Sequence, residues 1–460
     1  MKKEARKNLK NKNLKKVNLF LIITIIAVVL AFIILYINYS SDNQELNGEL
    51  GTEGIFSADD FSAEAITPED ISLNDITYVQ EGNVKQFNVS YKIITDQHRY
   101  APGAMFGGWG QHLGHLLNTG QELWFADDTG NDVNKNPAIN YYLKEGDKWI
   151  KKGSNILPGT VQQNTASILS KNIIYSYGID ISGKYLVECN FNTTDYKGSC
   201  NNVINTPSSS NYIGAALSPL GYRIVWWTQV IPNSGIIHYL YNNGKKWSKV
   251  ISSSLVKYSD ASYATISFID NSNFYMNAAL VNGNSPNWNF VCGVSKITLG
   301  HKIGSWVILK NITSGSATQP NDIWADPRTK SVHTFTQSKS GSTKYFYKPK
   351  SKTWSRELYS FNNSYSARII DSIDGNLYLA YGTSGESLNI IYVNKSQING
   401  AINWKKLNKT NIKLPQGYEN IYGIYPESKV YQDKPVKEIN LAIVGSERQN
   451  EVLHVRIEVK

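Results

Sequence analysis

Five tryptophans close short polar segments at a spacing near fifty residues: Gly146-Asp-Lys-Trp149, Gly244-Lys-Lys-Trp247, Ile303-Gly-Ser-Trp306, Ser351-Lys-Thr-Trp354 and Ala401-Ile-Asn-Trp404. A repeat of this length constrains the fold strongly, because such a unit cannot bury its apolar face alone and must stack on its neighbours. The intervals are 98, 59, 48 and 50 residues, and 98 is twice 49. An unmarked unit is therefore expected near residue 198, where Thr194-Asp-Tyr-Lys197 has no Trp.

Each mark follows the same series of apolar runs. The third unit has Tyr212-Ile-Gly-Ala-Ala-Leu217, Arg223-Ile-Val-Trp-Trp227 and Ile237-His-Tyr-Leu-Tyr241; the sixth has Arg368-Ile-Ile370, Leu377-Tyr-Leu-Ala-Tyr381 and Leu388-Asn-Ile-Ile-Tyr392. These β-branched and aromatic runs are bounded by Gly, Asn and Ser, which reads as short strands joined by tight turns. Four short strands per unit, repeated radially, describe a β-propeller. Residues 83–460 number 378, which gives 54 per blade for seven blades and 63 for six. Seven fits better. The last unit, Ile421 to Arg456, stops after three runs, and Gln86-Phe-Asn-Val-Ser-Tyr91 stands unpaired before the first unit. That N-terminal run can supply the missing strand and close the ring, removing an exposed sheet edge. Two stacked β-sandwiches are the competing arrangement.

Upstream, residues 1–17 carry eight Lys/Arg against Glu4, and residues 18–38 enclose the apolar run Leu19–Ile37, interrupted only by Thr24 and Tyr36. Nineteen residues at 1.5 Å per residue span about 28 Å, close to a hydrocarbon core. The exit, Tyr36-Ile37-Asn38-Tyr39, is not a small-residue cleavage site, so the run reads as an uncleaved signal anchor. The basic flank then stays in the cytoplasm, and the bulk of this single-pass protein lies outside the plasma membrane, with lipid as the partner of residues 19–37. Residues 39–81 hold eleven acids and no Lys or Arg, and are expected to form a flexible acidic tether leading to a propeller at 82–460. That last part has 39 basic and 25 acidic residues, net +14. The excess is a solvated basic surface or an attraction to an anionic partner such as an acidic glycan or envelope polymer.

In a propeller, the loops leading into the innermost strands and those joining the second and third strands share one face, where ligands usually bind. The polar and aromatic residues expected there are His98, Trp109, His112, Asn164, Asn211, Tyr212, Asp260, Asn321, Asp322 and Glu419, with Asp127 and Asp128 on the second set of loops. Amides and carboxylates bond vicinal hydroxyls, while Trp or Tyr covers the apolar face of a sugar ring. A binding or adhesion module for glycans or another anionic envelope polymer is the first expectation. A scaffold for an envelope protein is another. Nucleic acid is disfavoured by topology despite the positive charge, and none is expected as a partner. His112 and His115 point to opposite faces of a strand, so no metal is expected, and no cofactor is implied. Cys189 and Cys200 close a twelve-residue segment where a bridge or two free thiols would fit equally, and Cys292 lies in an apolar run.

The whole resembles β-propellers generally and, loosely, the sialidase/BNR-like group. No Ser-x-Asp-x-Gly-x-x-Trp box lies in register; Ser372-Ile-Asp-Gly375 is one residue short. The resemblance implies, as an alternative function, a glycoside hydrolase or lyase with three arginines around a carboxylate pocket, a Tyr–Glu pair and an acid. Arg99, Arg223 and Arg368 are the arginines available for that role, and Asp127 or Asp128 the acid. Arg223, however, begins a second strand, near the opposite end of its blade.

Overall fold

A computed structural model describes residues 76–77 and most of 87–459; residues 1–75, 78–86, 97–114, 129–137, 158–164, 283–288, 310–317, 384–386 and 428–437 lie outside the description, with some shorter stretches. The fold is a seven-bladed β-propeller: seven four-stranded antiparallel sheets follow one another along the chain. Blade 1 occupies 116–156, blade 2 166–205, blade 3 210–256, blade 4 260–309, blade 5 318–361, blade 6 364–413 and blade 7 421–459. The first strands of successive blades pack against one another as the inner ring.

Blade 7 is completed from the N-terminal side. Phe87–Thr95 pairs antiparallel with Val452–Val459, with Tyr91 opposite Val455. The Tyr91 hydroxyl then donates to Lys413 O of blade 6 at 2.7 Å. Upstream, Ile76–Thr77, placed by sequence within the acidic tether, pairs parallel with Ala401–Ile402 of blade 6. Among the described residues no helix is long and apolar enough to cross a membrane; the expected span at 18–38 lies outside them.

The tryptophan marks sit where each third strand turns into the fourth, and their role is packing between blades. Trp404 of blade 6 is fully buried and meets Phe335 and Tyr345 of blade 5 at 5.7 and 6.4 Å between ring centres. Trp149 of blade 1 meets His454 of blade 7 edge to face at 5.2 Å, and Trp247 of blade 3 meets Tyr177 of blade 2 at 6.1 Å. Blade 2, the unmarked unit, uses Tyr196 in the same turn against Trp124 of blade 1, at 6.0 Å. A flat aromatic at this corner fills the wedge left when twisted sheets fan out around an axis. The core is accordingly divided among the seams: Ile390, Ile443 and Val455 belong to one cluster between blades 6 and 7, while Trp324, Phe335 and Leu379 belong to another between blades 5 and 6.

A polar bond crosses every seam. Asn155 Nδ2 donates to Asn190 O (blades 1 and 2, 2.7 Å), and Arg223 pairs with Glu188 (3 and 2, 3.1 Å). Ile303 N donates to Ser253 Oγ (4 and 3, 2.8 Å), and Asn277 Nδ2 to Thr334 Oγ1 (4 and 5, 2.6 Å). Ile369 N donates to Asp322 Oδ2 (6 and 5, 2.6 Å), and Arg368 Nε to Ile424 O (6 and 7, 2.8 Å). Asn118 Nδ2 donates to Glu427 Oε2 (1 and 7, 2.9 Å), completing the circuit. Apolar seams alone allow neighbouring sheets to slide; directional bonds between buried groups fix one register, since each is costly to leave unmade.

Candidate functional site

The first strands of blades 3 to 7 share a device near their leading ends: a break in the ladder to the second strand. The register shifts between Asn211 and Gly214, Ser262 and Thr265, Pro320 and Asp322, Tyr365 and Arg368, and Ile421 and Gly423. Three of the extra residues are left-handed: Tyr212 (φ 50), Tyr263 (φ 56) and Ser366 (φ 54). This conformation costs a bulky L-residue about 1–3 kcal/mol, and it persists where surrounding structure imposes it. Bulges re-aim side chains and gather beside binding sites. Here they recur in five adjoining blades, at one end of the inner ring.

Tyr212 and Tyr263 are half-buried, and their rings meet edge to face at 5.2 Å. Just past the blade 3 bulge, a Cβ at Gly214 would fall 2.3 Å from the Trp226 indole, so only glycine lets the strand rejoin its neighbour. Hydroxyl and amide bonds recur along the bulged strands of blades 4 to 6. Ser262 donates to Asp260 Oδ2 at 2.6 Å, and Ser366 N donates to Gln337 Oε1 at 3.4 Å. Ser364 Oγ accepts from Thr343 N at 3.0 Å.

Four of the charged residues proposed from sequence, Asp260, Asp322, Arg368 and Asp127, are enclosed. Asp260 is 4% exposed, accepts from its neighbour Ala261 N at 2.7 Å, and is also bonded by Thr228 of blade 3. Burial pushes its pKa up to about 6. Asp322 is 1% exposed, and its oxygens are taken by the Ile323 and Ile369 amides. Arg368 is fully buried, donating to Ile424 O and Ala367 O; burial lowers its pKa to about 10 while the Asp322 charge opposes that shift. Asp127 is also fully buried. Asp260, Asp322 and Arg368 tie the ring together instead of facing a ligand, because an ion at the narrow inner end of a blade meets the next blade before it meets water.

Arg223 lies 3.6 Å above the Tyr175 ring and pairs with Glu188, at the far end of its blade as the sequence indicated. The remaining described arginines are also committed, Arg328 to Asp326, Arg448 to Glu451, and Arg456 to Glu438 and Glu458. No triad of arginines forms among the described residues. His115 is buried, with Nδ1 2.8 Å from Ala126 O. No group of three His, Cys, Asp or Glu is placed to hold a metal ion among the described residues. Cys189 and Cys200 face each other across the two outer strands of blade 2 and are bonded; Cys292 is buried.

Tyr212 lies at the bulge near the start of the first strand of blade 3. Asn211 and Asn321 lie on the same strand ends, where only their backbone is described, as for Asp128 on the second strand of blade 1. His98, Arg99, Trp109, His112, Asn164 and Glu419 lie outside the described residues. Tyr263 and Ser366 were not among the sequence candidates. Aligning the units on their first strands exposes the signal: Tyr212-Ile-Gly214 matches Tyr263-Ala-Thr265 and Ser366-Ala-Arg368.

The chain is similar to solved β-propellers. A lectin from Burkholderia pseudomallei aligns with a TM-score of 0.50 at 12% identity, over 83% of this chain and 97% of its own. A polysaccharide lyase aligns at 0.49 and 9%, over 79% and 92%. A periplasmic gluconolactonase from Pseudomonas aeruginosa aligns at 0.43 and 9%, over 65% and 85%. Likeness at these identities shows the fold alone. No protein-family model matches the sequence, and no curated protein sequence does either.

Proposed function

We propose that this propeller is the extracytoplasmic part of a membrane-anchored binding module, held by residues 19–37 with its N-terminus in the cytoplasm, and that it takes a glycan or other hydroxyl-rich envelope polymer at the mouth of the inner ring. The observation that carries this reading is the strained, half-buried pair Tyr212 and Tyr263 on successive bulges at one end of the inner ring, their rings edge to face at 5.2 Å. Aromatic faces of this kind cover the apolar side of a sugar ring. His98, Trp109, His112, Asn164 and Glu419, which lie outside the described residues, are the sequence candidates that would extend the site. A lectin shares the architecture, which is compatible with this use.

The hydrolase alternative needs an arginine cluster and an accessible acid. The described arginines are engaged elsewhere, and Asp127 is enclosed. The fragment 63–460 contains all the sheets, the closing strand and every core cluster, and so is a self-contained folding unit. A glycan array probed with this fragment at low salt is expected to retain a defined set of sugars; retention of none would refute the proposal. Release of a monosaccharide from a fluorogenic substrate, abolished by Arg99→Ala, would replace it with the hydrolase. For the anchor, protease added to intact cells is expected to shave off the large fragment.

A further inference from the structure

The face opposite the mouth carries a row of exposed lysines. There, the turns of neighbouring blades are tied into one layer: Arg328 of blade 5 donates to Lys395 O of blade 6, and Lys330 Nζ to Ile269 O of blade 4 at 3.0 Å. The turns between third and fourth strands in blades 3 to 6 display Lys245, Lys246, Lys302, Lys350, Lys352 and Lys405, all exposed. The stretches that carry them, 243–247, 299–306, 349–354 and 395–406, contain no Asp or Glu. None of the six forms an ion pair with a described residue. The first-to-second-strand turns on this face carry Asp270, Asp326, Asp371 and Asp374, of which Asp326 and Asp371 pair with Arg328 and Lys395, so the six lysines of the third-to-fourth-strand turns stand outside those pairs.

The path of the chain selects the partner. Ile76–Thr77 pairs with Ala401–Ile402, inside the lysine-bearing turn of blade 6. The closing strand begins with Phe87 opposite Val459, where a third strand ends, on that same side. Chain arriving from the N-terminus therefore meets the propeller at its lysine face. A groove would be the sign of a threaded polymer; ammonium groups spread over four blades instead form a broad array that matches a plane of anionic headgroups.

We propose that this face docks on the anionic surface of the bilayer, turning the mouth outward. The geometry rests on the anchored reading given above, but not on what the mouth binds. The test is co-sedimentation of fragment 63–460 with vesicles of phosphatidylglycerol and phosphatidylcholine in equal parts, against phosphatidylcholine alone. Each lysine near such a surface contributes a factor of roughly five to partitioning, so replacing Lys245, Lys246, Lys350 and Lys352 with Gln is expected to lower it several-hundredfold. Added salt is expected to weaken wild-type binding. Lys184→Gln with Lys413→Gln, at the mouth end, is the control and is expected to change nothing. Matching thermal unfolding of the two variants excludes misfolding as the cause. The inference is overturned if the wild-type fragment ignores anionic vesicles at low salt, or if the control loses as much as the fourfold variant. Wild-type retention on a soluble acidic polysaccharide without vesicle binding also overturns it, assigning the face to a polymer. Failure of the glycan array leaves all these outcomes unaffected, so the two readings fail separately.

Discussion

Replacing Trp404 with Ala tests whether the repeated mark is a wedge between blades. The side chain is fully buried against Phe335 and Tyr345 of the preceding blade. Burying a Trp removes about 200 Å² from water, which at about 25 cal/mol per Å² is near 5 kcal/mol as an upper bound. Incomplete collapse of the resulting cavity places the expected loss at about 3–5 kcal/mol. Tyr196, the equivalent residue in blade 2, is 41% exposed, so Tyr196→Ala is expected to cost only about 1–2 kcal/mol. Trp354, 4% exposed, should resemble Trp404. The assay is urea unfolding of fragment 63–460 followed by far-ultraviolet circular dichroism, comparing midpoints at matched slope. A Trp404→Ala loss below about 1 kcal/mol, or a larger loss for Tyr196→Ala, would refute the wedge.

Acid should weaken the fold through His333, which is fully buried with Nδ1 2.6 Å from the Tyr345 hydroxyl and a pKa held down to about 3 by burial. Its folded value lies below the unfolded one, so its contribution is complete above pH 6.5 and is lost at about 1.4 kcal/mol per unit as pH falls toward 3; His333→Gln should flatten that part of a stability–pH curve. Asp260 has the opposite sign: raised to about 6, it loses stability as pH climbs from 3.8 to 6, by about 3 kcal/mol. Asp260→Asn, with its oxygen still available to Ala261 N, should therefore raise the melting temperature at pH 8 relative to wild type and not at pH 4. Reduction of the Cys189–Cys200 bridge, which closes a short segment, should cost about 3 kcal/mol, measured by unfolding with and without dithiothreitol.

The radial architecture was legible because the unit's period and its strand–turn signals agree, as in the runs Ile439 to Ile443 and Val452 to Arg456. The unpaired run before the first unit marked the strand that completes blade 7, Phe87–Thr95. The gap near residue 198 was visible, but not that Tyr196 fills it, since a Tyr among 29 carries no signal. The mouth was only partly legible. Polar residues at strand ends look alike in sequence whether they face a ligand or the next blade, and Asp260, Asp322 and Arg368 face the next blade. The Tyr263 bulge was hidden because a left-handed tyrosine has no sequence mark beyond its offset from the strand.

The most direct test of a sugar site at the mouth is calorimetric titration of an array-selected glycan into wild-type fragment and into the Tyr212→Asn, Tyr263→Asn double variant. Asn tolerates the left-handed backbone, so this change removes the rings and leaves the bulges. Loss of two ring contacts should weaken binding at least tenfold. Unchanged affinity in a folded double variant would contradict the account.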